Sequence, residues 1–272
     1  MLEQAYTAIK LEREDHVLFL TLNRPQVRNA MSLTMVKELS HVFNFLEQDL
    51  TVRAVVLRGE GGSFCAGGDI KDMAAARAST AKSTDLDKKS DPFYELNKTF
   101  GELILQMNQL PQVVIAILDG AVLGGGFGLA CVTDVAIATA STQFAMPETT
   151  LGIPPAQIAP FVVKRIGLTQ ARRLALLGSR FGGEESVKLG ISHFYAKDED
   201  DVQRILGETL DSVKKCAPAA NAMTKQLMLK AAEHDAQSLI DDAAKAFSSA
   251  VQGQEGIAGT MAFMQKKPAP WA

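Results

Sequence analysis

Apolar and polar positions alternate along this chain with two different periods. "HVLFLTL" (16–22), "AVVLRG" (54–59), "QVVIAILDG" (112–120) and "DVAIATA" (134–140) are short and nearly continuous in apolar residues, the pattern of strands covered on both faces. Between them the period lengthens. In "SLTMVKELSHVFNFLEQDL" (32–50), Met35, Leu39, Val42, Phe43 and Leu46 recur at helical spacing, with Asn29 and Ser32 placed to cap. Strands separated by helices predict an α/β protein with largely parallel pairing, because parallel neighbours need a crossover to join them. From residue 169 the pattern is almost wholly helical, in "TQARRLALLG", "GEESVKLG" and "DVQRILGETLDSVKKCA", each stopped by glycine or proline or at an alanine before one. The last helices, 219–265, are rich in alanine and methionine and carry broader apolar stripes than one short helix needs. They predict packing on the core or on a neighbouring subunit, hence an oligomer.

One stretch has neither period. "AAARASTAKSTDLDKKSDP" (74–92) is small, polar and charged, and reads either as a solvated connector or as a mobile cover over a site. Composition then removes several functional classes. The 272 residues, 47% hydrophobic, suffice for one large domain or a domain with an extension. A net charge of -3 offers no electrostatic reason for nucleic acid or an anionic membrane as partner. Cys65, Cys131 and Cys216 are too few and too scattered for a disulfide framework or a zinc set, which fits a reducing cytoplasm. "MLEQAYTAIKLERED" has no signal-like apolar stretch, and no apolar run reaches the roughly 20 residues that span a bilayer. His16, His41, His193 and His234 have no metal-ligand spacing, so no metal is expected.

The chemistry is carried by glycines. "GAVLGGGFGLACVTD" (120–134) follows an apolar run and places Gly124, Gly125, Gly126 and Gly128 within five positions. A dinucleotide fingerprint fails, because Leu129 stands where its third glycine belongs, and a phosphate-binding P-loop fails for want of a lysine after Gly128. Two readings remain: tight helix packing, or a helix start whose bare N–H groups face an anion or a developing oxyanion. A second glycine turn, "GGSFCAGGDIKDM" (61–73), also follows a strand and opens a helix. Two backbone donors from two such turns are what a thioester oxygen needs as it takes on charge.

"FCAGGDIKDM" and "GAVLGGGFGLACVTDVAIATASTQFAMPETTLGI" together resemble the two signature blocks of the enoyl-CoA hydratase/isomerase, or crotonase, family, and the likeness extends from "LNRPQVRNAMS" through the helical C-terminal third. The resemblance implies a spiral core of ββα turns over residues 1–200, a helical trimerisation region over 201–272, and a homotrimer or dimer of trimers. It implies an acyl-CoA thioester as substrate and no separate cofactor, coenzyme A being part of that substrate. It assigns the oxyanion donors to the backbone N–H groups of Ala66 and Gly125. The acyl-CoA pocket is then lined by the backbone from Ala66 through Gly67, Gly68, Asp69 and Ile70, with Arg28 near the coenzyme A phosphates.

Hydratases of this family use two glutamates. This chain keeps one, Glu148 in "MPETTLGI", and has Gly128 in the other's place. The family's glycine-rich run after that glutamate is replaced by "IPPAQIAPFVV" (153–163), which puts the attacking water's site in question and makes Gln157 a candidate to place it. An apolar surrounding would raise the Glu148 pKa toward neutrality, as suits a proton carrier. Asp69 and Asp134 are read as caps or turn-formers, Cys65 and Cys131 as packing. The leading expectation is hydration of an enoyl-CoA thioester of branched or glutaconyl type, similar to isohexenylglutaconyl-CoA hydratases, with the missing side chain at Gly128 leaving room for the acyl branch. An isomerase shifting a double bond with Glu148 alone, or a non-catalytic acyl-CoA-binding protein, are the alternatives.

Overall fold

The computed structural model describes residues 5–74 and 91–272, so the polar stretch 74–92 falls almost entirely outside the described residues. Strands β1 (Ile9–Glu14), β2 (Val17–Leu22), β3 (Ala54–Gly59), β4 (Val113–Leu118), β6 (Val135–Thr139) and β9 (Phe194–Ala196) form one sheet in the order β1-β2-β3-β4-β6-β9. β5 (Ala121–Leu123), β7 (Gln143–Ala145) and β8 (Arg180–Gly182) form a smaller one in that order. β1 meets β2 antiparallel, and every later pair of the large sheet is parallel. The four strands expected from apolar runs are therefore the middle of this sheet. β1, "IKLERE", buries only Ile9 and so carries no apolar run, while the other four strands have three residues each, too few to establish a period.

The chain winds as a spiral. After β4 it lays β5 in the small sheet and turns into α3 (Gly125–Cys131); after β6 it lays β7 and later α4 (Ala159–Leu177). The turn before these repeats the plan in miniature: beyond β3, Cys65 forms a lone parallel bridge to Val122 of β5, and the chain returns to β4 through α2 (Pro92–Gln109). The stacked ββα turns are thus as expected, and they bring the ends of β3 and β5 side by side.

Both faces of the large sheet are covered, which is why its strands read as continuous apolar runs. On one face Leu18, Leu20, Val55, Leu57 and Val114 meet Met35, Leu39, Val42 and Phe43 of α1 (Leu33–Leu46) and Leu103, Ile104 and Met107 of α2. On the other, Val56, Ile115, Ile117 and Ile137 meet Val202, Ile205 and Leu206 of α6 (Glu199–Lys214), which follows the short α5 (Gly183–Lys188). Each fully buried side chain of this size contributes about 1.5–3 kcal/mol through its removal from water. α1 begins where Ser32 accepts the Met35 N–H, the cap read from the sequence.

The C-terminal helices α7 (Pro218–Ala231), α8 (Ala236–Gln252) and α9 (Gln254–Met264) are attached by polar anchors. Lys225 of α7 reaches Asp134 at 2.6 Å, and the same carboxylate accepts the Val114 N–H at 2.8 Å. Arg53 donates to the carbonyls of Val213, Lys214 and Cys216 at the end of α6 and to that of Trp271. α8 and α9 contain no buried residue and leave Ile240, Phe247, Ile257, Met261 and Phe263 exposed. Among the described residues no helix is long and apolar enough to cross a membrane.

Candidate active site

The first glycine turn is stitched along both edges. On one, Phe64 donates to the Asp119 carbonyl (2.7 Å), Cys65 donates to Ala121 (2.8 Å), and Leu123 donates to Cys65 (2.9 Å). On the other, Ala66 donates to the Arg28 carbonyl (2.9 Å), Met31 to the Gly67 carbonyl (2.7 Å), and Asp69 to the Met31 carbonyl (3.1 Å). This corrects one expectation. The Ala66 N–H, read as an oxyanion donor, is committed to Arg28. Among the described residues the Gly68 N–H has no acceptor. Its direction follows from peptide geometry: N–H and the preceding carbonyl of a trans peptide point oppositely, and the Gly67 carbonyl faces Met31. The Gly68 N–H therefore points away from Met31, and the second glycine turn lies close to the residue before it. There Gly67, at φ 94°, is packed so closely that a Cβ would lie 3.2 Å from the Leu123 carbonyl oxygen and 3.8 Å from Gly124 Cα.

Asp69 is spoken for as well. Its buried carboxylate pairs with Arg24 at 2.6 Å and accepts the Lys71 N–H at 2.8 Å. Burial pushes its pKa upward, but these two partners outweigh that and hold it below the usual carboxylate range. Arg24 also donates to the Ala30 carbonyl, so the pair clamps the turn to the chain just before α1. Asp69 is thus a fixture of the turn, as read from sequence, and its side chain is not available to a ligand. Arg28 is exposed and serves the turn through its carbonyl; Ile70, 79% exposed, faces outward.

The second turn is held differently. Gly124 donates to the Ala145 carbonyl (3.0 Å) and adopts φ 49°, ψ -115°, a conformation closed to residues with a Cβ. Gly125 then opens α3, so its N–H is among those a helix start leaves without an internal acceptor. Gly124, Gly125 and Gly128 share one face of this helix. Four side chains cover it. A Cβ at Gly124 would lie 2.6 Å from Glu148 Oε1, and one at Gly125 2.8 Å from Phe100 Cζ. A Cβ at Gly128 would collide with Ile158 Cγ2 and come 3.2 Å from Ile104 Cδ1. The opposite side of α3 is anchored by Phe127, whose ring stands edge-on to Phe144 and Phe181 at centroid distances of 5.7 and 6.2 Å. Gly128 therefore does not leave room for an acyl branch. The volume is filled by Ile158 and Ile104.

Glu148 opens a short 3-10 helix, Glu148–Leu151, beyond β7. Its Oε2 is buried and, among the described residues, has no hydrogen-bond partner. Burial raises its pKa above the ordinary glutamate range, and a hydrogen bond from its own backbone opposes the shift only in part. A half-buried carboxylate with a spare oxygen, resting against the second glycine turn, is equipped to exchange protons with a ligand held there.

Gln157 is not free to do the same. Its Nε2 donates to Asn97 of α2 at 3.0 Å, and its amide lies over Gly101, where a Cβ would come 2.6 Å from Cδ. The partner is a side chain on α2 rather than the carboxylate. Cys65 and Cys131 are fully buried thiols, their pKa values pushed up by burial to about 11 and about 12, and they act as packing groups. Asp134 anchors α7. Sequence reading placed Gly68 in the pocket lining but not as a donor, and it missed Arg24, Phe100 and Ile158. Only Phe100 carried a signal, its helical spacing with Ile104.

Residues 12–272 match the model of the family described as "Enoyl-CoA hydratase/isomerase". Among solved structures, an enoyl-CoA hydratase/isomerase from Marinobacter aquaeolei is 55% identical, covering 97% of this chain and 98% of its own, with a TM-score of 0.93. Pseudomonas aeruginosa AtuE is 54% identical over 98% of this chain and 100% of its own, also at 0.93. The enoyl-CoA hydratase ACTT6 of Alternaria alternata is 28% identical over 211 residues, which make up 78% of this chain and 66% of that protein. The fold is the crotonase fold, and the chain belongs to the enoyl-CoA hydratase/isomerase family.

Proposed function

We propose that this protein adds water across the 2,3-double bond of an enoyl-CoA thioester, with Glu148 as its proton carrier. The observation that carries the reading is the Glu148 carboxylate: half-buried, with a buried Oε2 that has no partner among the described residues, and in contact with the turn to which Gly125 belongs. In this reading the thioester oxygen lies between the N–H groups of Gly68 and Gly125. Glu148 takes a proton from water as the water oxygen bonds to C3, and negative charge moves onto the thioester oxygen. The same carboxyl then delivers that proton to C2 as the carbonyl reforms. One oxygen of the carboxylate holds the water while the other faces the chain, so a single glutamate closes the cycle. Losing one backbone donor of this kind typically costs about 3 kcal/mol of barrier.

The packing of Ile158 against Gly128 favours a second reading, because isomerisation needs no water: Glu148 would take a proton from C2 and return it at C4. The deciding experiment offers 2-enoyl-, 3-enoyl- and glutaconyl-type CoA thioesters to the protein in water enriched in oxygen-18. One heavy oxygen at C3 supports hydration. A moved double bond without heavy oxygen overturns it in favour of isomerisation. Absence of turnover, with thioester binding unchanged in Glu148→Ala, overturns both in favour of a non-catalytic binder. The same panel addresses the branched or glutaconyl acyl group, which no longer has support from Gly128. The proposal extends to a homotrimer or dimer of trimers, supported by the exposed apolar side chains of α8 and α9.

A further inference from the structure

The geometry points to Ile158 as a specificity-determining residue: we infer that it plugs the position at Gly128 from which a second polar group, or a water of its own, would reach the face of α3 that Glu148 serves. The inference rests on the reading of Glu148 as the proton carrier.

Three observations converge on it. The first is position. Gly128 stands one helical turn beyond Gly124, on the same face, and Gly124 is the residue against which Glu148 Oε1 rests. A side chain at 128 would therefore project beside the carboxylate. Ile158 occupies that space: its Cβ would lie 2.9 Å from a Cβ at 128, its Cγ2 nearer still, and Ile104 closes the other side at 3.2 Å. Ile158 is 1% exposed and Ile104 0%, so water is excluded as well.

The second is the brace on the residue before it. Gln157 is fastened to α2 twice, by the hydrogen bond to Asn97 and by its amide lying on the bare Cα of Gly101. Asn97, Gly101 and Ile104 follow each other along one face of α2 at spacings of four and three, so one helix face holds Gln157 and seals Ile158 together. Gln157 is in these terms a positioning residue for Ile158.

The third is strain. Ala156, the first residue of the 3-10 turn Ala156–Ile158, has φ 47°, in the left-handed region that disfavours residues with a Cβ. A conformation of this kind persists only where the surroundings impose it, and it lies two residues from the plug.

The consequence is a reaction centre with one titrating group among the described residues. Ile158 keeps the space beside Gly128 dry, so proton traffic and water both pass through Glu148.

The test is a cycle of variants in the full chain: Ile158→Ala, Gly128→Ala, Gly128→Glu, and each Gly128 variant combined with Ile158→Ala. Thermal unfolding and the pH profile of kcat/KM are read for each. Gly128→Ala and Gly128→Glu should lower the melting temperature and reduce kcat/KM at least tenfold, because both place atoms where Ile158 lies. Adding Ile158→Ala should restore the melting temperature in both pairs, at least in part. In Gly128→Glu with Ile158→Ala, a second ionisation should enter the pH profile, which should show one in the unaltered protein. A side chain filling space for stability alone would restore melting without adding that ionisation, and this outcome overturns the inference. So would a Gly128→Ala protein as stable and active as the original, or double variants no better than their Gly128 parents. Gly128→Ala, the milder change, keeps the comparison readable if Gly128→Glu does not fold. The oxygen-18 experiment on the unaltered protein tests the hydration reading separately, so either can fail without the other.

Discussion

The two glycine turns lie against each other at Gly67 and Gly124, yet they are supported in opposite ways. Residues 64–69 are hydrogen-bonded along both edges and clamped by the Arg24–Asp69 pair, whose carboxylate is buried. The turn at 124–128 has one such bond, from Gly124 to Ala145, before its helix begins, and is otherwise shaped by side chains lying on bare glycines. The first is fixed by directional bonds, the second by packing and by Phe127 behind it. Damage to the first turn should therefore register in folding, whereas damage to the second should register in rate, because its neighbours Glu148 and Phe100 belong to the candidate site.

The largest expected effect lies on the second turn. Glu148→Gln should reduce kcat/KM by about 10³-fold, within the range for removing a general acid–base group, measured by steady-state kinetics on the thioester that turns over. Stability should move the other way. Burial raises the Glu148 pKa in the folded protein, so the folded state holds a proton that the unfolded state releases, and stability falls as pH rises from the ordinary glutamate range through the raised value. The glutamine variant lacks that penalty. It should melt higher than the original at pH 7 and equally at pH 4, and a lower melting temperature at pH 7 would contradict the assignment. The same shift predicts that kcat/KM declines on acidification at a pH above the usual glutamate pKa, since the carboxylate is the form that accepts the proton.

The first turn should answer in reverse. Arg24→Met leaves the Asp69 carboxylate buried with only the Lys71 N–H, and should destabilise the fold by about 2 kcal/mol in denaturant titrations, less than a fully buried pair because Arg24 keeps some contact with solvent. Activity of the molecules that remain folded should change little. A rate loss beyond tenfold without loss of stability would mean that Asp69 has a partner in the reaction and that the two turns are less different than their bonding implies.

How much of this contrast could be read in advance follows from its physics. The central strands, the Ser32 cap and the paired glycine turns were legible because burial on two faces, capping and close approach each leave a local mark in residue type. The choice of donor was not. Ala66 and Gly68 differ only in whether the N–H meets the Arg28 carbonyl or has no acceptor among the described residues, and a backbone hydrogen bond has no residue signature. Gly128 misled for a related reason: a missing side chain looks like space, but Ile158, thirty positions on, fills it. The ion pair of Asp69 needed Arg24, which in sequence is one of many arginines.

A smaller effect tests the packing side alone. Gly125→Ala would bring a Cβ to 2.8 Å from Phe100 Cζ, so the ring must move or the helix start must shift. About a tenfold loss in kcat/KM is expected, since the N–H is kept and only its aim is disturbed. Adding Phe100→Leu should recover part of that loss. No recovery would mean that the ring is not what confines Gly125.

The smallest effect concerns the turn that carries Ile158. Ala156 is left-handed at φ 47°, and glycine takes that conformation without the Cβ contact, although its freer unfolded chain offsets part of the gain. Ala156→Gly should therefore stabilise the protein by about 0.5 kcal/mol in urea titrations. Its rate should stay near the original, because the Gln157 amide and the Ile104 side chain still hold Ile158 in place. If instead the variant is less stable, the left-handed residue is not a cost imposed by its surroundings. If it is more stable but slower, the strain itself presses Ile158 onto Gly128, and the packing of the second turn then depends on a tension for which the hydrogen-bonded first turn has no counterpart.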